Sequence, residues 1–75
     1  MTYLVIELQK AADGTVSNIV TAYESLSAAE SHFYTVLAAA AVSSLPVHSA
    51  VLVNDEGYPV KRECFKHYPE EEENG

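Results

Sequence analysis

Apolar and polar side chains alternate from the start of the chain, and this period of two predicts a β-strand over Thr2–Gln9. Leu4, Ile6 and Leu8 share one face, and Tyr3, Val5, Glu7 and Gln9 share the other. Tyr3–Ile6 is apolar on both faces, so the strand belongs inside a sheet. Thr15–Glu24 reads as a second strand with a broken pattern: Val16, Val20 and Ala22 fall together, while Ile19 and Tyr23 point the other way. A bulge near Ser17-Asn18 is one way to reconcile the two sets. Asn18, Thr21 and Glu24 mark this strand as an edge. Asp13-Gly14 supplies the turn between the two strands.

The period changes to that of a helix over Ser27–Val42. Ser27 and Glu30 have capping-box spacing, which places the N-cap at Ser27. Ala29, Phe33, Val36, Leu37 and Ala40 form one stripe, expected to pack on Leu4, Ile6 and Leu8. Four consecutive alanines favour the helix, and Pro46 ends it. Val47–Asn54 is apolar on both faces and reads as an interior strand. After the polar turn Asn54–Gly57, Tyr58–Lys66 carries Pro59, Lys61, Arg62 and Lys66, which suit an edge strand.

These elements predict an α+β fold, β-β-α-β-β. Its four-stranded antiparallel sheet has the order 2-1-3-4, with one helix packed on one face. This order keeps the Lys- and Arg-bearing strand at an edge and joins the two apolar strands in the middle. Residues 1–67 form one domain, and 68–75 form an acidic tail whose composition favours disorder.

Composition narrows the partners. The formal charge is −7, with eleven acids against four bases, and Glu70–Glu73 accounts for part of the excess. Such a balance argues against nucleic acid and against an anionic membrane. The N-terminus has no basic region of the kind a signal peptide carries, and no apolar run approaches the roughly 20 residues of a membrane-spanning helix. The cytoplasm is the expected location. Cys64 is the single cysteine, so a disulfide within the chain is excluded.

One helix covers only one face of a four-stranded sheet. The other face is expected to expose a large apolar surface, and Tyr3, Val5, Tyr23 and Val51 are its candidate interface residues. The outer face of the helix (Ser31, Thr35, Ala38, Ala39 and Val42) carries no charge, and its small residues permit close approach of another helix. Cys64 and His67 have a C-x-x-H spacing, and His48 or His32 is available as a further ligand. A structural zinc site needs four ligands, however, and an odd separation puts Cys64 and His67 on opposite sides of a strand. Cys64 reads better as a small buried hydrophobe. No third group orients a Cys64–His48 pair for catalysis, no glycine-rich phosphate loop occurs, and no paired carboxylates suit acid–base work. Neither an enzyme nor a cofactor is expected.

Several phrases carry a resemblance: Tyr-Leu-Val-Ile-Glu-Leu-Gln at the start, the Ala-Asp-Gly-Thr-Val turn, Val-Leu-Ala-Ala-Ala-Ala-Val-Ser-Ser-Leu-Pro-Val-His-Ser-Ala, and Glu-Cys-Phe-Lys-His near the end. With these, the chain resembles a group of short uncharacterised proteins of gut-dwelling Gram-positive bacteria, often encoded in phage-derived or mobile regions. The resemblance implies no activity and no catalytic residues, and at most an accessory or structural role in a phage-like module. The function expected from the sequence is a non-enzymatic protein–protein interaction module, self-associating as a homodimer or binding another protein. The alternative is a small-ligand or metal-binding domain using His48, Cys64 and His67.

Overall fold

The computed structural model describes residues 1–67. The tail assigned to 68–75 lies outside the described residues. Along the described chain run β1 (Tyr3–Lys10), β2 (Val16–Tyr23), α1 (Leu26–Ala41), β3 (Val47–Asn54) and β4 (Pro59–Lys66). The strands form one antiparallel sheet in the order β2-β1-β3-β4, so the α+β class and the strand order follow the sequence pattern.

Both hairpins close on the same turn. Gly14 N–H donates to Ala11 O and Ala11 N–H to Thr15 O; at the second turn Gly57 N–H donates to Asn54 O and Asn54 N–H to Tyr58 O. The two glycines take φ of 91° and 81°, a left-handed conformation that costs other residues a steric clash. Short side chains complete each turn: Asp13 accepts from Thr15 N–H, and Asn54 Oδ1 accepts from Glu56 and Tyr58 N–H.

The helix starts two residues earlier than its capping-box spacing suggests. Ser25 is the N-cap; its backbone is extended and its hydroxyl accepts from Ala28 N–H at 3.1 Å. Both Ser25 and Ser27 have cap chemistry, but capping at Ser25 brings Leu26 and Ser27 into the helix and adds backbone hydrogen bonds. Glu30, released from a capping role, lies 3.9 Å from Lys61 on β4. At the other end, His67 Nε2–H donates to Ala40 O at 2.9 Å, and His67 N–H donates to Pro46 O. These bonds pin the end of β4 against the helix C-terminus.

The predicted helix stripe is the buried one. Ala29, Phe33, Val36 and Ala40 are buried, and Leu37 packs beside them, partly buried. Their partners on the sheet differ from the expectation. The helix packs on Val5, Ala50 and Leu52, with Tyr3 and Tyr23 at the margin, while Leu4, Ile6 and Leu8 lie on the opposite face. Three of the four proposed interface residues, Tyr3, Val5 and Tyr23, are therefore on the helix side, and Val5 is only 1% exposed. Val51 alone is on the uncovered face. Alternation ranks the two sets of β1 the other way, since Leu4, Ile6 and Leu8 are the more apolar; the polar members of the helix-side set are accommodated because Glu7 bonds His48 and Gln9. Ala50, fully buried, is the small residue of β3 in the cluster beneath the alanine-rich helix. Ala50 is directly opposite Glu7, and Leu52 opposite Val5, so the register places the Tyr3–Val5 set under the helix.

Two local expectations are also corrected. The β1–β2 register runs without interruption from Tyr3↔Tyr23 to Lys10↔Val16, so β2 has no bulge. Val16, Ile19 and Val20 are instead left exposed along this edge strand. The irregularity falls on β4 instead: Leu52 pairs with Lys61 and Val53 with Pro59, which leaves Val60 as the extra residue, next to a proline that has no N–H to donate. Cys64 is exposed rather than buried, because it lies on the side of β4 that the helix does not cover.

Candidate functional site

The uncovered face can be built row by row from the strand registers. Ala22, Leu4, Val53 and Pro59 form the first row, and Val20, Ile6, Val51 and Arg62 the second. Asn18, Leu8, Ser49 and Cys64 follow, and Val16, Lys10, Val47 and Lys66 complete the face. Leu4, Ile6, Leu8, Val51 and Val53 are partly exposed, and no element among the described residues covers them. Four strands of eight residues, at about 3.3 Å per residue and about 4.8 Å between strands, make a face of roughly 500 Å². About half of it, the two rows from Leu4 to Val51, is a contiguous aliphatic patch.

Charge on this face is segregated. Lys10, Arg62 and Lys66 stand on it, three of the four bases in the whole chain, and none of its strand positions is acidic. The acids of the strands, Glu7 and Glu63, point to the helix side. Among the described residues, neither Lys10, Arg62 nor Lys66 is paired with a carboxylate; the two ion pairs are His48–Glu7 and Lys61–Glu30. An acidic protein thus presents a cationic, aliphatic sheet face.

The helix side carries a second polar arrangement. His48 is 5% exposed, and its Nε2–H donates to Glu7 Oε2 at 2.6 Å. The Gln9 amide donates to the same oxygen at 2.9 Å. Burial pushes the Glu7 carboxyl up, but the hydrogen bonds from His48 and Gln9, with the nearby imidazoles, outweigh it and hold Glu7 below its ordinary value of 4.5. His48 Nδ1 is buried without a partner among the described residues. Nearer the helix N-terminus, Tyr23 Oη and His32 Nδ1 are 2.8 Å apart and their rings meet edge to face. The first set ties β1 to β3 and the Tyr23–His32 contact ties sheet to helix.

The His48, Cys64 and His67 set does not converge. His48 points under the helix, Cys64 lies on the uncovered face, and His67 stacks on Phe65 and bonds the helix carbonyl. Among the described residues, no group of three or more His, Cys, Asp or Glu side chains could hold a metal ion. The helix outer face is as small and uncharged as its sequence suggests, with Val42 85% exposed. No described helix is long and apolar enough to cross a membrane.

Two features were missed in the linear pattern. An acid in a central, doubly apolar strand requires a buried partner, and that requirement is the signal for the Glu7–His48 pair. The cationic face needed only parity: Arg62 and Lys66 share a side of β4, and the register across Val47 adds Lys10. Compared with protein-family models, with curated proteins and with solved structures, the chain matches none.

Proposed function

We propose that this chain is a non-enzymatic protein–protein interaction module that makes contact through its uncovered sheet face. The observation that carries the reading is the unbroken patch formed by Ala22, Leu4 and Val53 with Val20, Ile6 and Val51, which no element among the described residues covers. Removing such a patch from water is the main favourable term in protein association. A second copy of the chain is one occupant of this face, giving the homodimer expected from the sequence; another protein is the alternative occupant. An accessory role in a phage-like module is compatible with either. No observation favours the metal-binding reading, since its three residues point to different places.

Cys64 provides the test, because the single cysteine of the chain stands on the face itself. A photo-crosslinker attached there is expected to capture protein in an extract of the native host. The same crosslinker on the helix outer face, in a Cys64→Ser/Ser31→Cys variant, is expected to capture little. Equal capture from both positions, or none from Cys64, refutes the reading.

A further inference from the structure

Resting on that reading, we propose that the partner is an acidic protein segment with aliphatic anchors, rather than a second copy of this chain. Three observations converge. First, the sign of the face is opposite to that of the protein. Lys10, Arg62 and Lys66 contribute three positive charges to a chain of net −7, and no acid stands at any strand position beside them. Cations that pair with no carboxylate among the described residues, set around an apolar patch, steer and orient an acidic partner and penalise a basic one.

Second, a face-to-face dimer fits poorly. Two copies would bring six cations into one interface without a compensating carboxylate from either sheet face. An interface with like charges opposed lacks the electrostatic complementarity that orients and holds partners. An acidic segment meets the same area with charge complementarity.

Third, the layout of the face specifies the partner further. The aliphatic rows lie toward the Leu4–Val53 end, while Lys10 and Lys66 occupy the opposite end and Arg62 the β4 margin. A complementary segment therefore places aliphatic side chains over Ile6 and Val51 and carboxylates toward Arg62 and Lys66. The strand positions of this face hold no aromatic residue, so the stacking platform typical of single-stranded nucleic-acid binders is missing.

A random peptide library displayed on phage, selected against the full chain, reads the chemistry directly. Enriched peptides are expected to combine Asp or Glu with Leu, Ile or Val. A synthetic peptide of the enriched sequence should lose about tenfold or more in affinity to the Arg62→Glu/Lys66→Glu variant, and should weaken steeply with added salt. It should lose as much to Ile6→Asp, with circular dichroism confirming that both variants are folded. If charge reversal leaves binding intact while Ile6→Asp abolishes it, the acidic partner is wrong and the docking face stands. If neither variant matters, or nothing is enriched, both readings fall. A dimer in sedimentation equilibrium that Ile6→Asp dissociates overturns the proposal in favour of a second copy. Tighter binding of a single-stranded DNA 12-mer through the same basic residues overturns it in favour of nucleic acid.

Discussion

Phe33→Ala tests where the core lies. The ring is 2% exposed and belongs to one buried cluster with Val5, Ala29, Val36, Ala50 and Leu52. Two of those neighbours are alanines, and two others, Val5 and Leu52, are fixed on paired strands, so little can move into the space the ring leaves. Phe→Ala in a core costs about 3–5 kcal/mol, and a site that cannot collapse belongs in the upper half of that range. A domain of this size has about 3–5 kcal/mol of stability in total. The variant should therefore be about half unfolded or more at room temperature without denaturant. The matched control is Ile6→Ala on the uncovered face. That side chain is already partly in water, and its truncation should cost about 1 kcal/mol. Urea titrations followed by far-UV circular dichroism give both values. If Ile6→Ala costs more than Phe33→Ala, the helix covers the other face of the sheet and the core has been misplaced.

Three further outcomes are expected. Ser25→Ala should lose about 0.5–2 kcal/mol with its cap, whereas Ser27→Ala, inside the first turn, should lose only a few tenths, and thermal melts of the pair decide which serine caps the helix. Gly57→Ala should cost about 1–2 kcal/mol for a left-handed backbone; nothing lies within 4 Å of the added methyl group, so a much larger loss in a urea titration would contradict the turn geometry. The Glu7 carboxyl is held below its ordinary value of 4.5, so its contribution is present above that pH and lost as pH falls through the lower folded-state value. Stability measured from neutral to acid pH should fall less steeply in Glu7→Gln than in the wild type, and an unchanged acid limb would show that the His48 hydrogen bond does not hold the carboxylate.

The elements and their order were legible because each rests on a local signal: alternation for the strands, a stripe of period 3.6 for α1, and a glycine at each hairpin turn. The 2-1-3-4 order followed from where charge and proline sit along the strands. The side of the sheet that takes the helix was not legible, because Leu4, Ile6 and Leu8 are the more apolar set and the pairing that lets Glu7 sit on the helix side, with His48 of β3, is non-local. That choice depends on Ala50 and on the cross-strand register, both non-local. The error passed directly into the candidate site, where only Val51 is on the uncovered face. The N-cap was misplaced for a similar reason: two serines of equal cap chemistry lie two residues apart, and the first allows the longer helix.

The repeated turn has a kinetic consequence. β1–β2 and β3–β4 each close over a few residues on their own glycine, so each half can assemble from neighbouring residues within microseconds. The β1–β3 seam joins residues far apart in the chain, with β2 and α1 between them, and its closure carries the larger loop entropy. Closing the β1–β3 seam across Val5, Ala50 and Leu52 is therefore the expected slow part of folding. The helix serves as the tether that keeps each half within reach of the other.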